Sequence, residues 1–292
     1  MRAHLGAIVA ATALALLPAA PAIAARVVAA PAVSGEAVAQ IQQAIDEQRL
    51  VDAARMLDAA LLAGGRDPRL AVARGDLNMA RANYEPALAS YKAAQDTPAT
   101  RAAALQGQGI ALALMGRSGE AMAVLQSAVV EFPAAWRAWN ALGSEYDHRG
   151  RWAEAEDAYA HALSVAPGEA LVLNNRGYSR LLQHRRTDAV ADLVAALQKR
   201  PAFPEAQTNL RLALAMRGDY DRAIAGGTPD DQATLLNNAG FAAGMRGDYA
   251  QAEDLLGRAI TAKSVYYARA TENLKIVRAL AAQRGGPADA PR

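Results

Sequence analysis

The chain has 292 residues, no cysteine and a formal net charge of +2, with 31 Lys and Arg set against 29 Asp and Glu. These values exclude a disulfide framework, a thiolate metal site and a cysteine nucleophile, and the interleaving of arginines with acids leaves no basic block for nucleic acid. Aromatic residues make up only 5% while Ala, Leu and Arg recur throughout, which favours helix over strand.

The N-terminus reads as an export signal. Arg2 and His4 precede an uncharged apolar run from Leu5 to Leu17, and Pro18 and Pro21 interrupt it before Ala22-Ile23-Ala24, a small-x-small cleavage pattern. The run is shorter than the roughly 20 residues of a spanning helix, which disfavours the alternative of a retained membrane anchor. Cleavage after Ala24 is therefore expected, followed by a Pro/Ala-rich linker over 25–33 and residence in the periplasm or outside the cell. With no cysteine, there is no lipid anchor through that residue.

From Ser34 a period of 34 governs the chain. Ala53, Ala87, Ala121, Ala155, Ala189 and Ala223 form one column, and Ala60, Ala94, Ala128, Ala162 and Ala196 form another seven places later. The repeats expected are 34–67, 68–101, 102–135, 136–169, 170–203, a shortened 204–232 and 233–264. A capping helix follows over 265–282, then a disordered tail over 283–292 that holds two Gly and two Pro. The first repeat keeps the pattern only in its second half, and the sixth is cut short by Gly226-Gly227-Thr228-Pro229.

Each column has a physical reason. Gly75, Gly109, Gly143, Gly177 and Gly240 fall inside first helices, where glycine costs about 1 kcal/mol against alanine unless a neighbour must approach closely. Gly116, Gly150, Gly218 and Gly247 suit a left-handed turn residue after the first helix, with an aromatic two places on at Trp152, Tyr220 and Tyr249. Leu57, Tyr91, Leu125, Tyr159, Leu193 and Leu256 are expected in the interior, and Pro133, Pro167 and Pro201 close repeats because proline cannot continue a helix.

The fourth repeat is the most complete, with Ala138-Trp139-Asn140-Ala141-Leu142-Gly143, Tyr146, Gly150-Arg151-Trp152, Ala155, Tyr159, Ala162 and Pro167. This spacing resembles the tetratricopeptide repeat (TPR) family. The resemblance implies an all-α fold, a TPR α-solenoid built as a right-handed superhelix of helix-turn-helix repeats with a C-terminal capping helix.

No constellation of catalytic residues accompanies the repeats. His4, His148, His161 and His184 lie far apart without the spacing that puts two ligands on one helix face, so no metal is expected. Gly107-Gln108-Gly109 follows no strand and is no nucleotide fingerprint. Glu154, Glu156, Asp188 and Asp192 read as solvated second-helix positions, and Trp136, Trp139 and Trp152 as packing residues. The expectation is a non-enzyme without cofactor.

The TPR resemblance further implies that positions 2, 5, 9, 12 and 13 of each first helix face a bound protein or peptide segment. In the last repeats these include Asn174, Tyr178, Leu181 and Leu182, then Thr208, Leu212 and Met216, then Asn237, Phe241 and Met245. The set is mainly apolar, and its position-5 residues Asn174, Thr208 and Asn237 could hold an extended ligand's backbone. The other reading buries the same side chains against adjoining first helices or the cap. Repeats two to four are more polar there, with Asp76, Gln106, Arg137, Asp147 and His148.

A narrower resemblance covers the last third. Leu235-Leu236-Asn237-Asn238-Ala239-Gly240-Phe241, Met245-Arg246-Gly247-Asp248-Tyr249, Ala252-Glu253, Leu256 and Ala259-Ile260 precede Ser264-Val265-Tyr266-Tyr267-Ala268 and Glu272-Asn273-Leu274. This stretch, with the shortened repeat before it, is similar to the TadD-like tetratricopeptide family of the Flp/Tad pilus assembly system. The resemblance implies a cell-envelope scaffold that helps assemble or localise the pilus machinery or its secretin. Members are commonly lipoproteins, a feature from which this cysteine-free chain departs. The alternative is an exported adaptor for other envelope biogenesis or polysaccharide export.

Overall fold

The computed structural model describes residues 35–63, 67–262 and 267–284. The expected signal over 1–24, the linker over 25–33 and the tail from 285 onward lie outside the described residues, as does Ser34.

The chain forms two compact units that divide after Ser179. The first holds α1 (Gly35–Asp46), α2 (Leu50–Leu62), α3 (Arg69–Ala80), α4 (Tyr84–Ala94), α5 (Pro98–Leu114), α6 (Ser118–Glu131), α7 (Trp136–His148), α8 (Trp152–Val165) and most of α9 (Ala170–Leu182). The second holds the end of α9, then α10 (Arg186–Lys199), α11 (Pro204–Arg217), α12 (Tyr220–Ile224), α13 (Pro229–Arg246), α14 (Tyr249–Thr261) and α15 (Ala268–Arg284). No strand occurs among the described residues.

Helix pairing follows from the glycine and interior columns. A Cβ placed on Gly143 would sit 2.7 Å from Cε1 of Tyr159, and one on Gly75 would sit 2.4 Å from Cε1 of Tyr91. Only a bare backbone lets α7 and α8, or α3 and α4, approach with an aromatic ring between them. In the other pairs a leucine fills the same place: a Cβ on Gly109 would lie 2.5 Å from Leu125 and one on Gly240 2.8 Å from Leu256. Leu57, Tyr91, Leu125, Tyr159, Leu193 and Leu256 are all buried, as the spacing predicts.

The turn column works through the left-handed conformation. Gly116, Gly150, Gly218 and Gly247 adopt φ of 73°, 68°, 99° and 92°. The repeats without glycine hold the same backbone at an energetic cost: Gln48, Ala82 and His184 adopt φ of 58°, 58° and 61°. Arginines one place before this residue tie one turn to the preceding repeat. Arg81 donates to the Leu50 carbonyl at 2.8 Å, Arg149 to Ser118 Oγ at 3.0 Å and Arg246 to the Met216 carbonyl at 3.1 Å.

Three boundaries differ from the expected register. α5 begins at Pro98 and α13 at Pro229, each four residues before the repeat start, because proline at the first helical turn gives up no hydrogen bond. Thr228 completes the α13 start with a capping box, its N–H and hydroxyl both donating to Asp231, at 3.1 and 2.8 Å. The terminal helix ends at Arg284 instead of at 282, and residues 265 and 266 of its expected start lie outside the described residues. Within the shortened repeat, α12 stops after five residues, and Arg211 reaches over to satisfy its loose carbonyls at Ala223 and Ala225, 3.0 and 2.8 Å away.

Candidate functional site

The first-helix positions of the second unit present a mostly apolar set. Leu182 and Met245 are each 44% exposed, while Leu212, Met216 and Phe241 are half-buried and Leu181 is buried in the core. Leu212 and Met216 also pack against the unit's hydrophobic cluster. Thr208 is exposed, but its hydroxyl already donates to the Pro204 carbonyl at 3.0 Å.

The asparagines take another role than the expected one. Asn237 is only 2% exposed; its amide donates to Asn238 at 3.1 Å and its carbonyl oxygen accepts from Asn273 on α15 at 2.9 Å. In the first unit Asn174, 6% exposed, donates to Asn175 at 3.1 Å, and Asn175 donates to Asn140 on α7 at 3.1 Å. Asn174 and Asn237 are thus parts of a ladder between successive first helices, because a buried amide must find protein partners. They do not present free amides to an extended ligand. Tyr178, in the first unit, is half-buried and has its hydroxyl pushed up by burial and by the Asp147 charge.

The same ladder defines α15. The Asn273–Asn237 bond joins the same register positions as Asn175–Asn140, and a Cβ on Gly244 of α13 would meet Val277 at 2.4 Å. α15 therefore packs as a further first helix, and Ile276 and Leu280 occupy the positions equivalent to Phe241 and Met245. Ile276 is 41% exposed and Leu280 half-buried. Sequence reasoning missed both; the signal was the recurrence of asparagine at Asn238 and Asn273.

The first unit is more polar. Asp147 accepts from Tyr159 Oη at 2.8 Å and from Ser179 Oγ at 2.7 Å, and burial pushes its carboxyl up against those bonds. Glu145 is buried between Ser118, whose hydroxyl donates to it, and His148 Nδ1 at 3.8 Å. His161 stacks on Trp139 with ring centroids 4.5 Å apart. Among the described residues no group of three or more His, Asp or Glu could hold a metal ion, and no helix is long and apolar enough to cross a membrane. Gln106 is half-buried, whereas Arg137 is exposed and lies over the Trp136 ring at 4.5 Å.

Asp192 corrects the reading of the second-helix acids. It is buried and paired with Arg180 at 2.8 Å, whereas Asp188 pairs with the solvated Arg185 at the helix start, at 2.9 Å.

Asp76 accepts from Tyr91 Oη at 2.6 Å, and burial raises its carboxyl from 3.8 to about 6, opposed by that bond and by Arg137 and reinforced by Asp46. A carboxyl raised in the folded state holds a proton that the unfolded chain has already released. Stability therefore falls as pH rises from about 4 to about 6, and the penalty stands in full above that window. Asp76→Asn, whose amide oxygen can still accept from Tyr91, is expected to gain about 1–2 kcal/mol at pH 7.5 and to flatten that slope. Urea unfolding at pH 5 and pH 7.5 checks this; a loss of stability at pH 7.5 contradicts it.

A tetratricopeptide-repeat model matches residues 136–169, which span α7 and α8 with their Gly143–Tyr159 contact. The fold is a tetratricopeptide-repeat solenoid. Solved structures of similar fold include a chain of the APC/C hetero-tetramer Cut9-Hcn1, at 15% identity and a TM-score of 0.61 over 82% of this chain and 48% of that one. A tetratricopeptide repeat protein from Parabacteroides merdae aligns at 16% identity and a TM-score of 0.50, over 83% of this chain and 98% of that one. The C-terminal part of a TPR repeat-containing protein from Cytophaga hutchinsonii aligns at 14% identity and 0.54, over 81% and 99%. The chain thus spans about half the length of the Cut9-Hcn1 chain. A search of curated proteins returns no match. In TPR terms, position 8 is the glycine of the first helix and position 24 the ring or leucine that it receives, the pair that sets each repeat's spacing.

Proposed function

We propose that the chain is a non-catalytic TPR scaffold of the cell envelope that holds a segment of a partner protein against the first helices of its second unit. The observation that carries this reading is the apolar set on that face: Leu182 and Met245 stay 44% exposed on helices whose opposite sides already fill a core. Apolar side chains gathered at equivalent positions of consecutive helices mark a partner surface.

Two sequence features support the finer reading. The charged start, apolar run and Ala22-Ile23-Ala24 pattern favour export. The segment from Leu235 to Leu274 is similar to TadD-like proteins, which favours a role in assembling or localising the Flp/Tad pilus or its secretin.

Affinity purification of the mature chain from envelope extract, beside Phe241→Asp and Met245→Asp, tests both levels. The expected result is a secretin or pilus component recovered with the parent and depleted at least tenfold with either variant, while both variants keep the parent's helical circular dichroism. Other envelope proteins with the same sensitivity would retire the pilus role and leave an adaptor for another envelope pathway. Partners insensitive to both substitutions would sink the scaffold reading of this face.

A further inference from the structure

We infer that the occupant of this face is an amphipathic α-helix of the partner, not an extended peptide, and that α15 completes its seat. The inference rests on the scaffold reading above. An extended segment laid in a groove buries its own N–H and C=O groups, so the groove must supply donors and acceptors. Here the position-5 polar groups are already engaged. Asn237 is shared between Asn238 and Asn273, Thr208 donates to the Pro204 carbonyl, and Glu272, at the equivalent place on α15, pairs with Lys275 at 3.4 Å. What remains on offer is side-chain surface. A helix satisfies its own backbone and asks only for apolar contact, which is the helix-in-groove mode of recognition.

The register of α15 sets the length. Ile276 and Leu280 add a row to those of Phe241 and Met245, so the apolar stripe runs from α11 across α13, which packs on it, to α15, which packs on α13. Successive packed helices lie about 8–10 Å apart, so these two steps span about 16–20 Å. A helix of about 11–13 residues covers that distance, and one of 18 overhangs it.

The test uses the whole mature chain and two labelled 18-residue peptides of Leu, Ala, Lys and Glu. One is held helical by lactam bridges with leucines at i, i+3, i+4 and i+7; its twin has two central residues replaced by proline. Fluorescence anisotropy is expected to show the helical probe binding at least tenfold tighter than its twin. Ile276→Asp, on an exposed position, should weaken the helical probe at least tenfold without moving the melting temperature. Equal or tighter binding of the proline twin overturns the inference, as does an Ile276→Asp variant that binds normally or the failure of both peptides to bind. The two readings separate cleanly: envelope capture that still depends on Phe241 keeps the scaffold while the helical occupant falls, and capture insensitive to Phe241 removes both.

Discussion

Tyr159→Ala is expected to cost about 3–5 kcal/mol, near the upper end for deletion of a buried aromatic side chain. The residue is 1% exposed, and its ring lies where a Cβ on Gly143 would come within 2.7 Å. Removing the ring leaves a void faced by a glycine, which has no side chain to refill it. The hydroxyl adds a second loss: it donates to Asp147 Oδ2 at 2.8 Å, and without it the half-buried carboxylate keeps the Ser179 hydroxyl at 2.7 Å. Tyr159→Phe isolates that part and should cost about 1–2 kcal/mol. Gly143→Ala gives the complementary check. Alone it should destabilise by forcing a methyl into the ring, whereas in the Tyr159→Ala background it should be neutral or stabilising by filling space. Urea unfolding of the four variants closes this cycle. A Tyr159→Ala chain within about 1 kcal/mol of the parent, or additive effects of the two substitutions, would show that the glycine and the ring do not depend on each other.

That pair explains why so much of the fold was legible in sequence. A glycine inside a helix is costly, so its recurrence 16 residues before a large side chain, as Gly75 before Tyr91 and Gly143 before Tyr159, signals a contact that only one packing satisfies. The left-handed turn was legible for the same reason where glycine marks it, at Gly116, Gly150, Gly218 and Gly247. It was hidden at Gln48, Ala82 and His184, where packing imposes the same φ on residues that do not prefer it. The candidate face was less legible, because a polar side chain at a groove position carries no mark of whether it points to a ligand or to the next helix. Asn237 turns inward to Asn273 on α15, and Asn174 bonds its own neighbour Asn175, which reaches Asn140 on α7. That relation requires the helix spacing as well as the period. α15 was hidden by the same limit: its one-residue offset from the 34-residue period disguises Ile276 and Leu280 until the Asn273 bond fixes the alignment.

The buried pair in α9 and α10 carries the second large effect. Arg180 and Asp192 have side chains only 14% and 7% exposed, and a guanidinium nitrogen donates to Asp192 Oδ2 at 2.8 Å. Position in the repeat made Asp192 look like one more solvated acid on a second helix, four residues from Asp188. One helical turn further in, however, it falls beside Val190 and Leu193, which are buried in the core. A carboxylate there is tolerated because the arginine pairs with it; removing the cation takes a close counter-charge from a buried carboxylate. Arg180→Met, which keeps the length of the stem and removes the charge, is expected to cost about 3–5 kcal/mol. Replacing both partners by apolar residues should recover most of that loss, since desolvation of two ions largely offsets their attraction. The comparison of Arg180→Met with Arg180→Met/Asp192→Leu in denaturant unfolding therefore decides whether the pair contributes net stability or only mutual compensation. Recovery in the double variant identifies compensation. A double variant as unstable as the single one would mean that Arg180 supports the second unit through contacts other than Asp192.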